Sequence, residues 1–220
     1  MSEEYFYHYT NQKSAKAIFL SGKILPSLRS NGDAVHGDGV YLTTLDPKLG
    51  KDIVIQNNWD GVTRNSEEKM ECYFEILMPS SKVTRAKEKR DIQIFTGELA
   101  LSQYKWSLKD WSGDLMATQH FMVRSEGAAA VNQSTTMGRY TLCGNIVMQK
   151  DKPVYKHDTT DMFLYSINGN WHVSAVAGNN ADCLLFQPSN TPSPHKTIPW
   201  KYALDYEWQE DETLKVRPCY

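Results

Sequence analysis

One histidine, His8, stands in the middle of the aromatic run YFYHYT at residues 5–10, and one tyrosine, Tyr41, follows the glycine-flanked turn of HGDGVYLT at residues 36–43. An imidazole on a strand can donate or accept one hydrogen bond from each ring nitrogen, which suits a sugar hydroxyl. Gly37 and Gly39 allow a flat ligand to approach the main chain, and Tyr41 then offers an aromatic face worth about 1 kcal/mol in stacking beyond its buried area. His8, Gly39 and Tyr41 are therefore candidate binding residues. Taken singly, each has a plainer reading, a core histidine or a hairpin tyrosine.

The elements that must position them follow from local pattern. YFYHYT alternates, with Tyr5, Tyr7 and Tyr9 facing one way and Phe6, His8 and Thr10 the other. A helix is expected next, with Asn11 as N-cap, Ala15, Ile18 and Phe19 as its apolar stripe and Gly22 at its C-terminal end. KILPS is a short extended piece, RSNGDAVHGDG a turn-rich stretch and VYLTTL a second strand. EKMECYFEILMP alternates cleanly, with Met70, Cys72, Phe74, Ile76 and Met78 on one face; DIQIF and ELALSQYKW supply one or two further strands. Residues 106–135 read as a linker with at most a short helix.

The order strand with His-Tyr-Thr, capped helix, Ile-Leu-Pro-Ser, loop, then Gly-Asp-Gly-Val-Tyr-Leu-Thr and Asp-Pro resembles the ADP-ribosyltransferase fold. Within it, the likeness is to the branch named for a histidine, a tyrosine and an aspartate, akin to diphtheria-toxin-like and poly(ADP-ribose) polymerase cores. The resemblance covers roughly residues 5–105, with residues 5–47 carrying nearly all its specificity. It implies an α+β domain, residues 1–105, in which a split pair of antiparallel sheets holds NAD as co-substrate. It also implies that His8 contacts a ribose, that the main chain of Tyr9 bonds the nicotinamide carboxamide, that Thr10 belongs to the same binding strand, and that Tyr41 packs on nicotinamide. The third catalytic group that the resemblance implies is an acid at the start of a later strand: Asp91 in RDIQIF fits, and Glu98 in TGELAL is the rival. Such a carboxylate stabilises the positive charge that develops on the sugar when the nicotinamide bond breaks. The serine and second tyrosine that polymerases place after the Tyr41 strand have no counterparts in DPKLGKD, which argues against polymer formation.

The expected activity is mono-ADP-ribosyl transfer from NAD to an acceptor that the sequence does not identify, expected to be a protein, in a toxin-like nucleotide-binding transferase. The alternatives are an NAD glycohydrolase and a non-catalytic NAD, ADP-ribose or protein-binding module. From Met137 the texture changes to short β-branched and aromatic runs separated by turns, expected to form an all-β accessory domain over residues 136–220. Asn168-Gly169-Asn170 predicts a tight hairpin. Trp171, Trp200 and Trp208 are read as core anchors before glycan contacts, and His157, His172 and His195 as surface residues. The net charge of −2 gives nucleic-acid binding no support, the four dispersed cysteines form no zinc-type pair, and no metal is expected. The first residues lack a signal-peptide pattern and no apolar run spans a membrane, so a cytoplasmic protein without membrane contact is expected.

Overall fold

In the computed structural model, residues 2–32, 34–61, 68–143, 152–179, 181–196 and 198–219 are described. The chain divides into two compact units, Met1–Met116 and Ala117–Tyr220. Unit one contains β1 (Glu3–Thr10), α1 (Gln12–Ser21), β2 (Lys23–Ile24), β3 (Val40–Leu42), α2 (Lys51–Trp59), β4 (Cys72–Pro79), β5 (Val83–Arg85), β6 (Gln93–Phe95), β7 (Leu99–Ala100) and β8 (Lys105–Asp110). With β9 (Leu115–Thr118), they form three sheets, ordered β1-β4-β8-β9, β3-β6-β5 and β2-β7.

Helix α1 forms as its caps require. The Asn11 side chain accepts the Ser14 N–H at 2.7 Å, and Gly22 ends the helix in the left-handed region at φ 70°. Its Ala15, Ile18 and Phe19 are buried, and Phe19 meets Trp106, itself against Phe74, on one face of the four-stranded sheet. The other face carries Tyr7, Tyr9 and Tyr73, which pack with Val54 and Ile55 of α2 and with Met70. β4 is thus covered on both sides, and Cys72, Phe74, Ile76 and Met78 are fully buried. Each large apolar side chain so buried contributes about 1.5–3 kcal/mol.

Unit two contains β10 (His120–Arg124), α3 (Ala128–Asn132), β11 (Gly138–Leu142), β12 (Tyr155–His157), β13 (Phe163–Ile167), β14 (Asn170–Ser174), β15 (Cys183–Gln187), β16 (Lys201–Leu204), β17 (Glu207–Glu210) and β18 (Lys215–Cys219). They build one curled antiparallel sheet of nine strands, ordered β17-β16-β15-β14-β13-β12-β11-β10-β18. Asn168 (φ 51°) and Gly169 (φ 82°) make the two-residue turn between β13 and β14. Phe121, Tyr140, Tyr155, Leu164, Trp171 and Leu185 are fully buried in its core. The end of the YTLCGNIVM run and the last residue of the GNN turn lie outside the described residues.

Four expectations need correction. The split α+β ADP-ribosyltransferase organisation is not evident: strand occupies 42% and helix 21%, so the chain is β-rich, and its largest element is the nine-stranded sheet. Unit one spreads its strands over three small sheets instead of a pair. Residues 106–135 are not a linker, because Trp106, Leu108, Leu115, Phe121 and Val123 alternate into buried positions on strands β8, β9 and β10. His157 and His172, expected at the surface, are buried, each held by side-chain or main-chain bonds. Trp171 and Trp200 are buried anchors, whereas Trp208 is 44% exposed. Among the described residues no helix is long and apolar enough to cross a membrane.

Candidate active site

The site is built around one strand, β3, that meets a different neighbour at each end. Thr43, just after it, exchanges both main-chain bonds with Tyr7 of β1, at 2.8 and 3.1 Å. Gly39, just before it, exchanges both with Ser27, at 2.9 and 3.1 Å. Tyr41 lies between these two bridges. In an antiparallel ladder alternate residues direct N–H and C=O to the same side. Tyr41 therefore turns its main chain toward the same edge as Thr43 and Gly39, at the point where the two neighbours part.

His8 reaches across this opening. Its Nδ1 lies 3.1 Å from the Tyr41 carbonyl oxygen, and since a carbonyl only accepts, Nδ1 carries the proton. Burial lowers the His8 pKa, outweighing the opposing effect of the Tyr41 bond. The ring is then neutral near pH 7, with the Nε2 lone pair free to accept a hydrogen bond.

The same alternation applies to β1. Tyr7 spends its N–H and C=O on Thr43, so Tyr9, two residues on, aims both groups at the same edge, beyond the bridge. No described residue bonds them. The Tyr9 ring is buried on the sheet face and donates to the Leu45 carbonyl at 2.8 Å, so only its main chain is available at the opening. The Thr10 side chain is buried beside this edge.

The Tyr41 hydroxyl is fully used: it donates to the Gly37 carbonyl at 2.9 Å and accepts the His36 N–H at 2.8 Å, closing its own turn. What Tyr41 retains for a ligand is its ring. Gly39, at φ +157°, serves the packing of β6, because a Cβ there would sit 2.6 Å from Ile94 Cγ2 and 2.7 Å from the Phe95 carbonyl.

The two candidate acids are separated by the length of β6. β3 pairs with β6 as Val40–Phe95 and Leu42–Gln93, so Asp91 falls opposite Thr44, behind the Tyr7–Thr43 bridge. Its Oδ2 accepts from Thr43 Oγ1 at 2.7 Å, Thr44 N at 2.5 Å and Thr44 Oγ1 at 2.9 Å, and its Oδ1 from Gln93 at 2.7 Å. The Asn57 amide of α2 clamps the Asp91 main chain on both sides, at 2.7 and 2.9 Å. Burial pushes the Asp91 carboxyl up, but these hydrogen bonds outweigh it and hold the group below its usual range. Asp91 is a staple joining β3, β6 and α2. Glu98 lies past the other end of β6, just before β7. β7 pairs with β2 as Leu99–Ile24, which sets Glu98 level with Leu25, two residues before the Ser27 bridge. It is half-exposed and bonded to Lys23 at 2.9 Å.

The sequence offered no signal for the Asn57 clamp or for Lys23 as the partner of Glu98. An open groove of about 580 Å³ runs along α2 and the end of the β5–β6 loop, lined by Ile53, Gln56, Asn57, Lys89 and Arg90 among others, and it includes none of His8, Tyr41 and Glu98. In unit two, His172 Nδ1 lies 3.2 Å from Cys183 Sγ, a nucleophile-like pairing. Both residues are buried, and burial pushes the Cys183 thiol up to about 12, the reverse of an activated thiolate. All four cysteines are free, and the described residues contain no cluster of three or more metal-ligating side chains. Compared with known proteins, the chain matches no family model, and no curated protein and no solved structure matches it significantly.

Proposed function

We propose that unit one binds NAD at the Tyr41 opening and transfers its ADP-ribose to an acceptor, releasing nicotinamide. The observation that carries this reading is the N–H and C=O of Tyr9, which no described residue bonds, on the edge of β1 that faces the ring-bearing Tyr41 strand. A primary carboxamide presents one acceptor and one donor, so it can dock on such an edge as another strand would, with two hydrogen bonds. Leaving this pair buried and unmet on ring binding would cost about 1–3 kcal/mol per group, which gives selectivity for the amide.

The remaining residues divide the work. The neutral His8 accepts a ribose hydroxyl proton at Nε2 and is itself oriented by Tyr41. The Tyr41 ring covers the nicotinamide face, and its tied hydroxyl keeps that face rigid. Glu98 is the carboxylate with capacity to spare; a hydrogen bond from it to a ribose hydroxyl stabilises the charge that develops as the nicotinamide bond lengthens. Bound NAD supplies the leaving group: the pyridinium departs with the bonding pair as neutral nicotinamide, while the acceptor forms the new bond to the anomeric carbon and loses a proton. A protein side chain is the acceptor this reading favours, with water as the hydrolytic alternative. NAD as co-substrate and four free thiols suit a cytoplasmic site of action.

The test follows nicotinamide release and label transfer from radiolabelled NAD in cell lysate. Glu98→Gln is expected to lower release about 100-fold or more at unchanged thermal stability, through the chemical step and not through KM. Unaltered release in this variant rejects the assignment, and transfer without loss in a Tyr41→Ala variant rejects the site.

A further inference from the structure

The nine-stranded sheet of unit two has two unlike faces. Residues paired across an antiparallel ladder share a face, as do residues two apart on one strand. Val216, Phe121, Val123, Tyr140 and Tyr155 line one face and are 3% exposed or less, which makes it the core. The other face is read from the same pairings. Lys215 lies opposite Arg124, Arg217 opposite Met122, Met122 opposite Arg139, and Lys156 opposite both Thr141 and Phe163. Five cations, Arg124, Arg139, Lys156, Lys215 and Arg217, thus stand exposed on one surface over β18, β10, β11 and β12.

Only two of them are neutralised: Arg139 bonds Asp158, and Lys156 bonds Asp161 at 3.2 Å. Arg124, Lys215 and Arg217 have no acidic partner among the described residues. Edge strands commonly carry Lys or Arg to block further pairing, which would account for Lys215 and Arg217 on β18. It does not account for Arg124 and Arg139, which sit on the interior strands β10 and β11. The concentration is local, since the whole chain is net −2.

Between the cations lie the half-buried side chain of Met122 and two half-buried flat rings, His120 and Phe163, the last beneath the Lys156 ammonium at 5.7 Å. Among the described residues, none of the exposed large apolar side chains lies on β10, β11, β12 or β18; Trp208 shares this side of the sheet but stands on β17, at its far end. A lipid surface would find charges but nothing to insert. A single nucleic-acid strand would find guanidinium groups for its phosphates and level side chains for its bases.

We propose that this face of unit two binds single-stranded nucleic acid through its phosphodiester backbone, with Arg124, Lys215 and Arg217 as the phosphate contacts. This inference does not depend on the NAD reading of unit one. For three such contacts the logarithm of affinity should fall with the logarithm of salt at a slope of roughly −2, since each contact to a single strand contributes about −0.7.

The experiment uses the full chain and fluorescein-labelled 20-nucleotide single-stranded RNA and DNA, read by polarisation over a series of salt concentrations. Binding at low salt with that slope is expected. R124E/R217E should weaken it about 10-fold or more and flatten the slope, because both side chains are exposed and unpaired, so the fold is retained. K13E/K82E, an equal charge change in unit one, should leave binding intact. No binding at low salt, equal loss in both double variants, or tighter binding to phosphatidylserine vesicles or polyglutamate than to the oligonucleotides overturns the proposal.

Discussion

Replacing Asp91 by asparagine separates a structural acid from a chemical one. The carboxylate gathers four hydrogen bonds, three on Oδ2 from Thr43 and Thr44 and one on Oδ1 from Gln93. An asparagine can keep its oxygen toward the threonines, but its NH2 then confronts the Gln93 NH2, two donors facing each other. Bonds to a charged group are worth about 1.5–3 kcal/mol each, and the lower end applies to a half-buried carboxyl. A net loss of about 2 kcal/mol is expected, or roughly 5–10 °C in the melting temperature of a unit of this size. The pH dependence carries the same signature. Asp91 has a folded pKa below its unfolded value, so its stabilisation is complete above about pH 4 and is lost as the pH falls through the folded value. Thermal melts by circular dichroism from pH 7 to pH 3 should therefore converge for wild type and Asp91→Asn at the acid end. Nicotinamide release per folded molecule should survive in the variant. An Asp91→Asn protein of undiminished stability that has lost release would refute the reasoning and return the catalytic role to Asp91.

Gly39→Ala should destabilise unit one by about 1–3 kcal/mol in a denaturant titration, because the added Cβ meets Ile94 and the Phe95 carbonyl at a strained φ; Gly37→Ala, whose nearest neighbour is 3.9 Å away, should cost less. NAD affinity by calorimetry should weaken on acidification, since the lowered His8 pKa keeps Nε2 an acceptor above about pH 6.5, and this capacity is lost as the pH falls through the folded value; a pH-independent affinity would exclude His8 as an acceptor. Trp171→Ala should cost about 3–5 kcal/mol and unfold unit two, as the ring is fully buried and its Nε1 donates to the Thr191 carbonyl, whereas Trp208→Ala should stay within about 1 kcal/mol on thermal melting.

Several features were legible in the residues because they depend on neighbours in the chain. Asn11 and Gly22 bound α1 through bonds to residues three or four away. The alternation of Met70 to Met78 places a buried face on β4 whatever strand lies beside it. Asn168-Gly169 selects its turn from two local φ angles. The same local logic put His8 and Tyr41 on strands, and their side chain and main chain are 3.1 Å apart. The choice between Asp91 and Glu98 was beyond this logic, as both precede a strand. Residues 106–135 were misread because Gly, Ser and Asp at the turns masked strands that need partners far away in the chain.

A period of two states which face of a strand is buried, and a cap states where a helix begins; both are written within a few residues, and the sequence alone was sufficient for them. It does not state which strand lies alongside. That choice rests on main-chain groups common to every residue, so only the tertiary structure decided it. The divergence of the neighbours of β3 at Tyr41, the open edge at Tyr9, the burial of Asp91 in a staple and the gathering of five cations on one sheet face all follow from strand pairing.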